Sequence, residues 1–284
     1  MKIKLTIVLL LLFSFIKMNA CSCDVPNSII EFQSAEYVFE GKVISKIYSS
    51  DSLNYTVKFK ILKHYKSGNE PRFLEFNFKS EEKYTGEWSS CDWSIDNNEK
   101  WLVYAKYWND NLTFGYYCSN SKPLNSRNIS QSEQLKLNNA NEFLIDKYIL
   151  TDLDGSFTKS KPQKDLDLIL KKYYNKDYGQ NYNKNRADIV VDIDTDGNLM
   201  AANVRSFEHT NPENNIILDT IFQLNRPPNI ETKKSKTEFE KDVLNIVKTL
   251  KKWEIICIDG TEIPVNKRIF LQFYKKNNFI EVYY

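Results

Sequence analysis

Two cysteines one residue apart, Cys21 and Cys23, stand directly behind a segment that reads as removable, and this placement constrains the chain more than any other feature. Residues 1–20 carry Lys2 and Lys4, then the largely apolar run 5–16, then Met18-Asn19-Ala20. A basic start, an apolar middle and a small final residue make a signal peptide cut after Ala20. The run is short of the roughly 20 residues that a spanning helix needs. Cleavage there makes Cys21 the first mature residue, with a free α-amine of pKa about 7.7–8.0. Lipidation of Cys21, disfavoured by the large polar Asn19, and a different cut site stay open.

The other cysteines are Cys91, Cys118 and Cys257. Export permits disulfides, but four cysteines allow three pairings and spacing does not choose among them. Joining Cys21 to Cys23 closes a strained small ring, so each is expected to reach a distant strand. Closing such a loop contributes about 4 kcal/mol through the unfolded state. Cys-x-Cys is not a zinc-knuckle spacing and no second close pair exists, so no intrinsic metal is expected. Cys257, between Ile256 and Ile258, is expected to be a free thiol packed as a small hydrophobe.

Between these cysteines the pattern is that of strands. Tyr55, Val57, Phe59 and Ile61 alternate with polar neighbours over 55–62, the period of a half-buried strand. Segments 38–47, 73–78 and 112–118 read as further strands and 101–107 as the most apolar one, after a short helix near 29–32. Five or six strands with one helix suit a small closed barrel, packed by Trp88, Trp93, Trp101 and Trp108.

The Cys-x-Cys start, Phe32-Gln33-Ser34-Ala35-Glu36-Tyr37-Val38-Phe39-Glu40-Gly41-Lys42-Val43, Trp101-Leu102-Val103-Tyr104-Ala105 and Tyr117-Cys118-Ser119-Asn120-Ser121-Lys122-Pro123-Leu124 resemble the netrin-like (NTR) domain of tissue inhibitors of metalloproteinases. The resemblance covers about 21–125 and implies an OB-like barrel with disulfides Cys21–Cys91 and Cys23–Cys118. It also implies an inhibitory ridge of Cys21, Ser22, Cys23, Ser89 and Ser90. In that family the amine and carbonyl of the first cysteine chelate the target's zinc, and the next side chain, here Ser22, enters the specificity pocket. The family's third disulfide in this domain has no counterpart among these cysteines.

Ser130-Gln131-Ser132-Glu133 fits a capping box for a helix over about 131–148. A polar linker follows at 151–161, and a second helix at about 162–175. Strands are expected at 188–194, 199–207, 253–258 and 265–273. An amphipathic helix carries Phe239, Val243, Ile246, Val247 and Leu250 behind a capping box of Ser235 and Glu238. Val190-Val191-Asp192-Ile193-Asp194-Thr195-Asp196-Gly197-Asn198-Leu199, Val247-Lys248-Thr249-Leu250, Lys252-Trp253 and Asp259-Gly260-Thr261-Glu262-Ile263-Pro264-Val265 resemble the C-terminal domain of TonB, over about 186–275. That resemblance implies recognition of an envelope or outer-membrane protein through a sheet edge. TonB's permanent membrane helix and proline-rich spacer have no match here, so energy transduction is not implied. The expected fold is thus two-domain: an all-β OB-like closed barrel with a short helix (21–125), a helical linker (126–185), and an α+β domain of antiparallel sheet against one helix (186–284).

Chemistry-bearing motifs are few. The two histidines, His64 and His209, fall in different domains. No Gly-rich phosphate loop, His-Glu-x-x-His or Gly-x-Ser-x-Gly occurs, so no enzyme, no catalytic residue and no cofactor is expected. Asp192-Ile193-Asp194-Thr195-Asp196-Gly197 opens like a calcium loop, but its twelfth position is Asn203 rather than glutamate, and a solvent-facing acidic hairpin is the better reading. The chain has 39 basic and 37 acidic residues. Loss of Lys2, Lys4 and Lys17 with the signal leaves the mature chain near −1, by the same count. No basic stripe remains for nucleic acid. The expectation is a secreted, periplasmic or outer-membrane-associated protein of a Gram-negative bacterium that binds protein. A secreted metalloprotease is the alternative target, and membrane contact is expected only if Cys21 is lipidated.

Overall fold

In the computed structural model, residues 23–87, 89–125, 128–179, 185–205, 219–224 and 234–284 are described. Strand β1 (Tyr37–Tyr48) is the spine of the first sheet. It pairs antiparallel with β2 (Asn54–His64) on one side and β4 (Lys100–Trp108) on the other. β3 (Phe73–Lys79) and β5 (Asn111–Thr113) extend it to the order β3-β2-β1-β4-β5, and the short β6 (Lys122–Pro123) also pairs with β4. The β1–β2 register shifts at Glu40/Gly41 and at Val43/Ser45. An extra residue bends a strand and increases its twist, which curls this sheet into a half-barrel. Gly41 lies at the first shift, where a Cβ would stand 2.8 Å from the Phe39 ring. Its absence lets Phe39 and Phe59 meet edge to face at 5.9 Å.

The concave face holds Phe39, Val43, Tyr55, Val57, Phe59, Phe76, Trp101, Val103 and Phe114. The intervening residues Val38, Leu102 and Tyr104 are buried on the opposite face. This two-sided burial explains the unbroken apolar run of Trp101-Leu102-Val103-Tyr104-Ala105. Helix α1 (Ser28–Ser34) covers the convex face through Ile29, Ile30 and Phe32.

The expected closed barrel is a half-barrel here. The ladder ends at β3 and β5, and β5 has only three residues where a strand over 112–118 was expected. Phe114 instead turns inward against Phe76, with centroids 4.9 Å apart, and Tyr116 stacks on Trp93. The chain there follows an aromatic cluster rather than a ladder. Of the expected packing tryptophans, Trp93 and Trp101 meet at 5.8 Å, whereas Trp108 is 63% exposed. Trp88 lies outside the described residues. The short helix α2 (Glu82–Thr85) follows β3.

The helix expected over 131–148 stops early. α3 spans Gln131–Asn139, and 3-10 turns at Ala140–Glu142 and Ile145–Lys147 replace the rest. Asparagine side chains compete with helical backbone bonds: Asn139 donates back to the Leu135 carbonyl, and Asn141 donates to the Tyr65 carbonyl and accepts from the Ser67 amide. The next helix, α4 (Leu166–Leu170), is likewise short. Segment 151–161, polar enough to read as a linker, is tied down by its backbone. Thr158 N–H donates to the Cys257 carbonyl at 3.0 Å, and Glu254 N–H donates to the Lys161 carbonyl at 2.9 Å. Backbone pairing is blind to the side-chain composition that suggested a linker.

The second sheet is antiparallel with order β10-β9-β7-β8, from β7 (Arg186–Ile193), β8 (Leu199–Val204), β9 (Lys267–Lys276) and β10 (Phe279–Tyr283). Helix α5 (Glu238–Thr249) buries Phe239, Val243, Ile246 and Val247. Its capping box is Thr237 with Glu240, two residues later than the expected Ser235 with Glu238. Both pairs fit the pattern, and burial of Phe239 at the first turn selects the second. The strand expected at 253–258 is reduced to isolated bridges of Trp253 with Pro162, Cys257 with Pro264 and Ile258 with Phe157. The convex side of β1 and β4, α1, α3, α5 and the second sheet share one contiguous apolar cluster.

Candidate functional site

The segment behind Cys23 is fixed at several points. Cys23 is disulfide-bonded to Cys118, with Cα atoms 5.7 Å apart, the pairing that the netrin-like resemblance implies. Asn120 Nδ2 donates to the Pro26 carbonyl at 3.0 Å. Asn27 caps α1, its Oδ1 accepting from Ile29 N–H at 3.2 Å, while its own N–H donates to the Asp154 carbonyl at 2.9 Å. Glu31, one turn into the helix, accepts from Ser119 Oγ, from Asn120 N–H at 2.7 Å and from Asn120 Nδ2 at 2.6 Å. Burial pushes the Glu31 carboxyl above its usual range, against the opposing pull of these donors. Sequence reading missed Glu31; an acidic residue in a first helical turn looks like ordinary dipole compensation.

Cys23, Asp24 and Val25 are nevertheless exposed. So are Ser89 and Ser90, which form a turn in which Ser89 Oγ accepts from Cys91 N–H at 3.1 Å. Cys91 is also disulfide-bonded. Tyr117 Oη donates to the Asp92 carbonyl at 3.2 Å, so the Ser89–Cys91 turn and the Cys118 loop are joined. Of the expected ridge, Cys23, Ser89 and Ser90 are thus on connected surface segments. Cys21 and Ser22 lie outside the described residues.

Behind the Ser89 turn is a cavity of about 400 Å³ lined by Tyr55, Ser80, Glu81, Ser89, Cys91 and Trp93, among others. Lys46 binds Glu81 at 2.7 Å in its wall. Burial opposes the Lys46 charge, but Glu81 and Tyr48 outweigh it and hold its pKa above the ordinary value. Burial likewise opposes the Glu81 charge, and Lys46 outweighs it and holds Glu81 below the ordinary value.

Elsewhere the acidic hairpin, expected to face solvent, turns Asp192 and Asp194 into the fold and leaves Asp196 exposed. Asp192 takes a two-pronged contact from Arg268 at 2.8 and 3.1 Å. Asp194 accepts from Asp196 N–H and Asn198 N–H, closing the turn in which Gly197 has φ +77°. A Cβ on Gly197 would stand 2.4 Å from the Trp253 carbonyl oxygen. Among the described residues no group of three or more His, Cys, Asp or Glu gathers as a metal site. Cys257 is a free thiol, half-buried rather than fully packed, with its N–H donating to Thr158 Oγ1. His64 Nε2 lies 3.0 Å from the Pro71 carbonyl oxygen, which gives that ring a structural role. His209 lies outside the described residues. No protein-family model matches the chain, and no curated protein matches it.

Proposed function

We propose that this protein is a non-catalytic, secreted or envelope-associated module that binds another protein. One observation carries the reading: the segment Cys23-Asp24-Val25 is held by a disulfide and by Asn27, Glu31 and Asn120, yet its own side chains face solvent. Holding an exposed segment in one conformation lowers the ordering cost of binding. The netrin-like and OB-like readings, in which β3 and β5 would close the half-barrel, belong to this proposal, as do the TonB-like reading of the second sheet and a Gram-negative envelope. Nucleic acid is not part of it.

A photo-crosslinking residue in place of Val25, carried by the full protein in its native host, tests the reading. A protein adduct at 25 that is absent at the exposed Leu168 is expected. No adduct at 25 overturns it.

Metalloprotease inhibition is a second reading, favoured by the surface link between the Ser89–Cys91 turn and the Cys118 loop. The zinc ligands would be the amine and carbonyl of Cys21. Acetylating that amine is expected to abolish inhibition across a panel of zinc endopeptidases; equal inhibition before and after refutes chelation. Intact mass of the mature protein, with peptide mapping of residue 21, separates this from a lipid-anchored envelope scaffold, since acylation of the amine removes the ligand.

A further inference from the structure

A second cleft, of about 480 Å³, opens between the Cys23–Pro26 segment and the loops that carry Asp152, Leu153 and Asp259. Its lining includes four carboxylates, on Asp24, Glu31, Asp152 and Asp259, against one cation, Lys106. Asp152 is neutralised by Lys267 at 2.5 Å, and Glu31 is engaged by Ser119 and Asn120. Asp24 and Asp259 are exposed and have no side-chain partner among the described residues. Apolar surface runs between them: Val25 is 48% and Leu153 94% exposed, and Ile258 lies in the wall. Tyr104 belongs to the same wall, is 2% exposed and has a hydroxyl without a hydrogen-bond partner. A buried tyrosine hydroxyl can both donate and accept, and without a partner it costs stability.

We propose that this cleft takes a lysine or arginine side chain from an extended, otherwise apolar segment of a partner protein. A long basic side chain has an aliphatic stem and a cationic head. The stem matches Val25, Leu153 and Ile258; the head matches Asp24 and Asp259. A purely apolar segment leaves both carboxylates unpaired and partly desolvated, and an acidic one is repelled. The cleft needs both halves of the chain, because one wall is the disulfide-held N-terminal segment and the other comes from 152–156 and 258–259. The inference rests on the protein-binding reading above and names the chemistry of the partner.

The test uses the full mature protein and a fluorescent, end-blocked Leu-Lys-Leu-Lys-Leu peptide, with norleucine and glutamate counterparts in place of lysine. Saturable binding of the lysine peptide is expected, weakening as salt rises. The Asp24→Asn/Asp259→Asn variant is expected to bind it about tenfold more weakly, from two lost ion pairs, while Asp167→Asn, outside the cleft, binds as the parent does. Both altered aspartates are exposed and unpartnered, and an unchanged thermal midpoint checks that the variant is folded. Binding of the norleucine peptide equal to the lysine peptide, a double variant within twofold of the parent, or no lysine-peptide binding at all overturns the inference. If the lysine peptide fails while a protein still crosslinks at residue 25, this inference falls and the broader reading stands. If the peptide binds as expected and nothing crosslinks there, the broader reading falls and the partner named here falls with it.

Discussion

Glu31 shows how much one carboxylate sets at the start of this chain. It gathers the Asn120 amide, the Asn120 side chain and Ser119, and so locks α1 to the loop that follows Cys118. Its pKa is raised in the fold, above the ordinary 4.5, chiefly by burial. A raised folded pKa means stability that is fully present below the unfolded value and is lost as pH rises through the folded one. Glu31→Gln keeps an acceptor for Asn120, and its amide can donate to Ser119 without a buried charge. The variant is therefore expected to gain stability relative to the parent as pH rises from 4 to 7, measured by denaturant titration at each pH. A parent that gains on the variant over that range would show that the donors outweigh burial. Glu31→Ala strands the Asn120 donors and is expected to cost about 1–3 kcal/mol. Lys46 and Glu81 behave oppositely. Glu81 is lowered and Lys46 is raised, so their mutual stabilisation is present between the ordinary values of 4.5 and 10.5. It fades as pH falls through the folded pKa of Glu81 or rises through that of Lys46. Lys46→Met is expected to flatten stability over both flanks, and an unchanged pH profile counts against the pair.

At the scale of elements, helix α5 carries the most direct prediction. Thr237 Oγ1 accepts from Glu240 N–H at 3.1 Å, and Glu240 Oε2 accepts from Thr237 N–H at 3.1 Å. Thr237→Ala is expected to cost about 1 kcal/mol, whereas Ser235→Ala, outside the box, should leave chemical stability within a few tenths. Reversal of those two results would restore the earlier helix start. The same contrast shows what was legible in the sequence. The alternation of Tyr55, Val57 and Phe59 exposes β2 because one face is buried, and the spacing of Phe239, Val243 and Val247 exposes α5 for the same reason. The end of α3 was not legible, because it depends on Asn141 finding Tyr65 and Ser67 about 75 residues away in sequence. β5 was lost to Phe114, which packs into the aromatic cluster instead of continuing the ladder. The isolated bridges of 151–163 with 252–258 leave no period, since they are made by backbone atoms. For the site, the cysteines were visible and their pairing was not; the pairing came from family resemblance. The cleft around Asp24 and Asp259 was invisible because its walls come from segments near 24, 152 and 259, more than 100 residues apart in sequence.

For the whole molecule the question is whether its two sheets behave as one body. The convex face of the first sheet carries Val38, Leu102 and Tyr104; α1 lies over it, and the same apolar cluster continues through Leu150, Leu166 and Leu170 to Ile189, Val191 and Phe273. Two separate cores would open at two different free energies, as independent cooperative units. A single contiguous core predicts that they open together. Trp101, 2% exposed, and Trp253, fully buried, are natural reporters of the two sides. Backbone hydrogen exchange at Val103 and at Val191 is expected to converge on one opening free energy as denaturant rises. The Cys23–Cys118 bridge should act on both. It closes a loop with a sequence separation of 95 residues, for which the chain-entropy model gives about 4.7 kcal/mol near 100 residues. Cys23→Ala/Cys118→Ala is then expected to lower protection at Val103 and Val191 by the same amount. If protection falls at Val103 alone, the shared cluster does not couple the halves. A cleft built from one wall of each half would then lose its fixed shape, because the disulfide would order only the wall it belongs to.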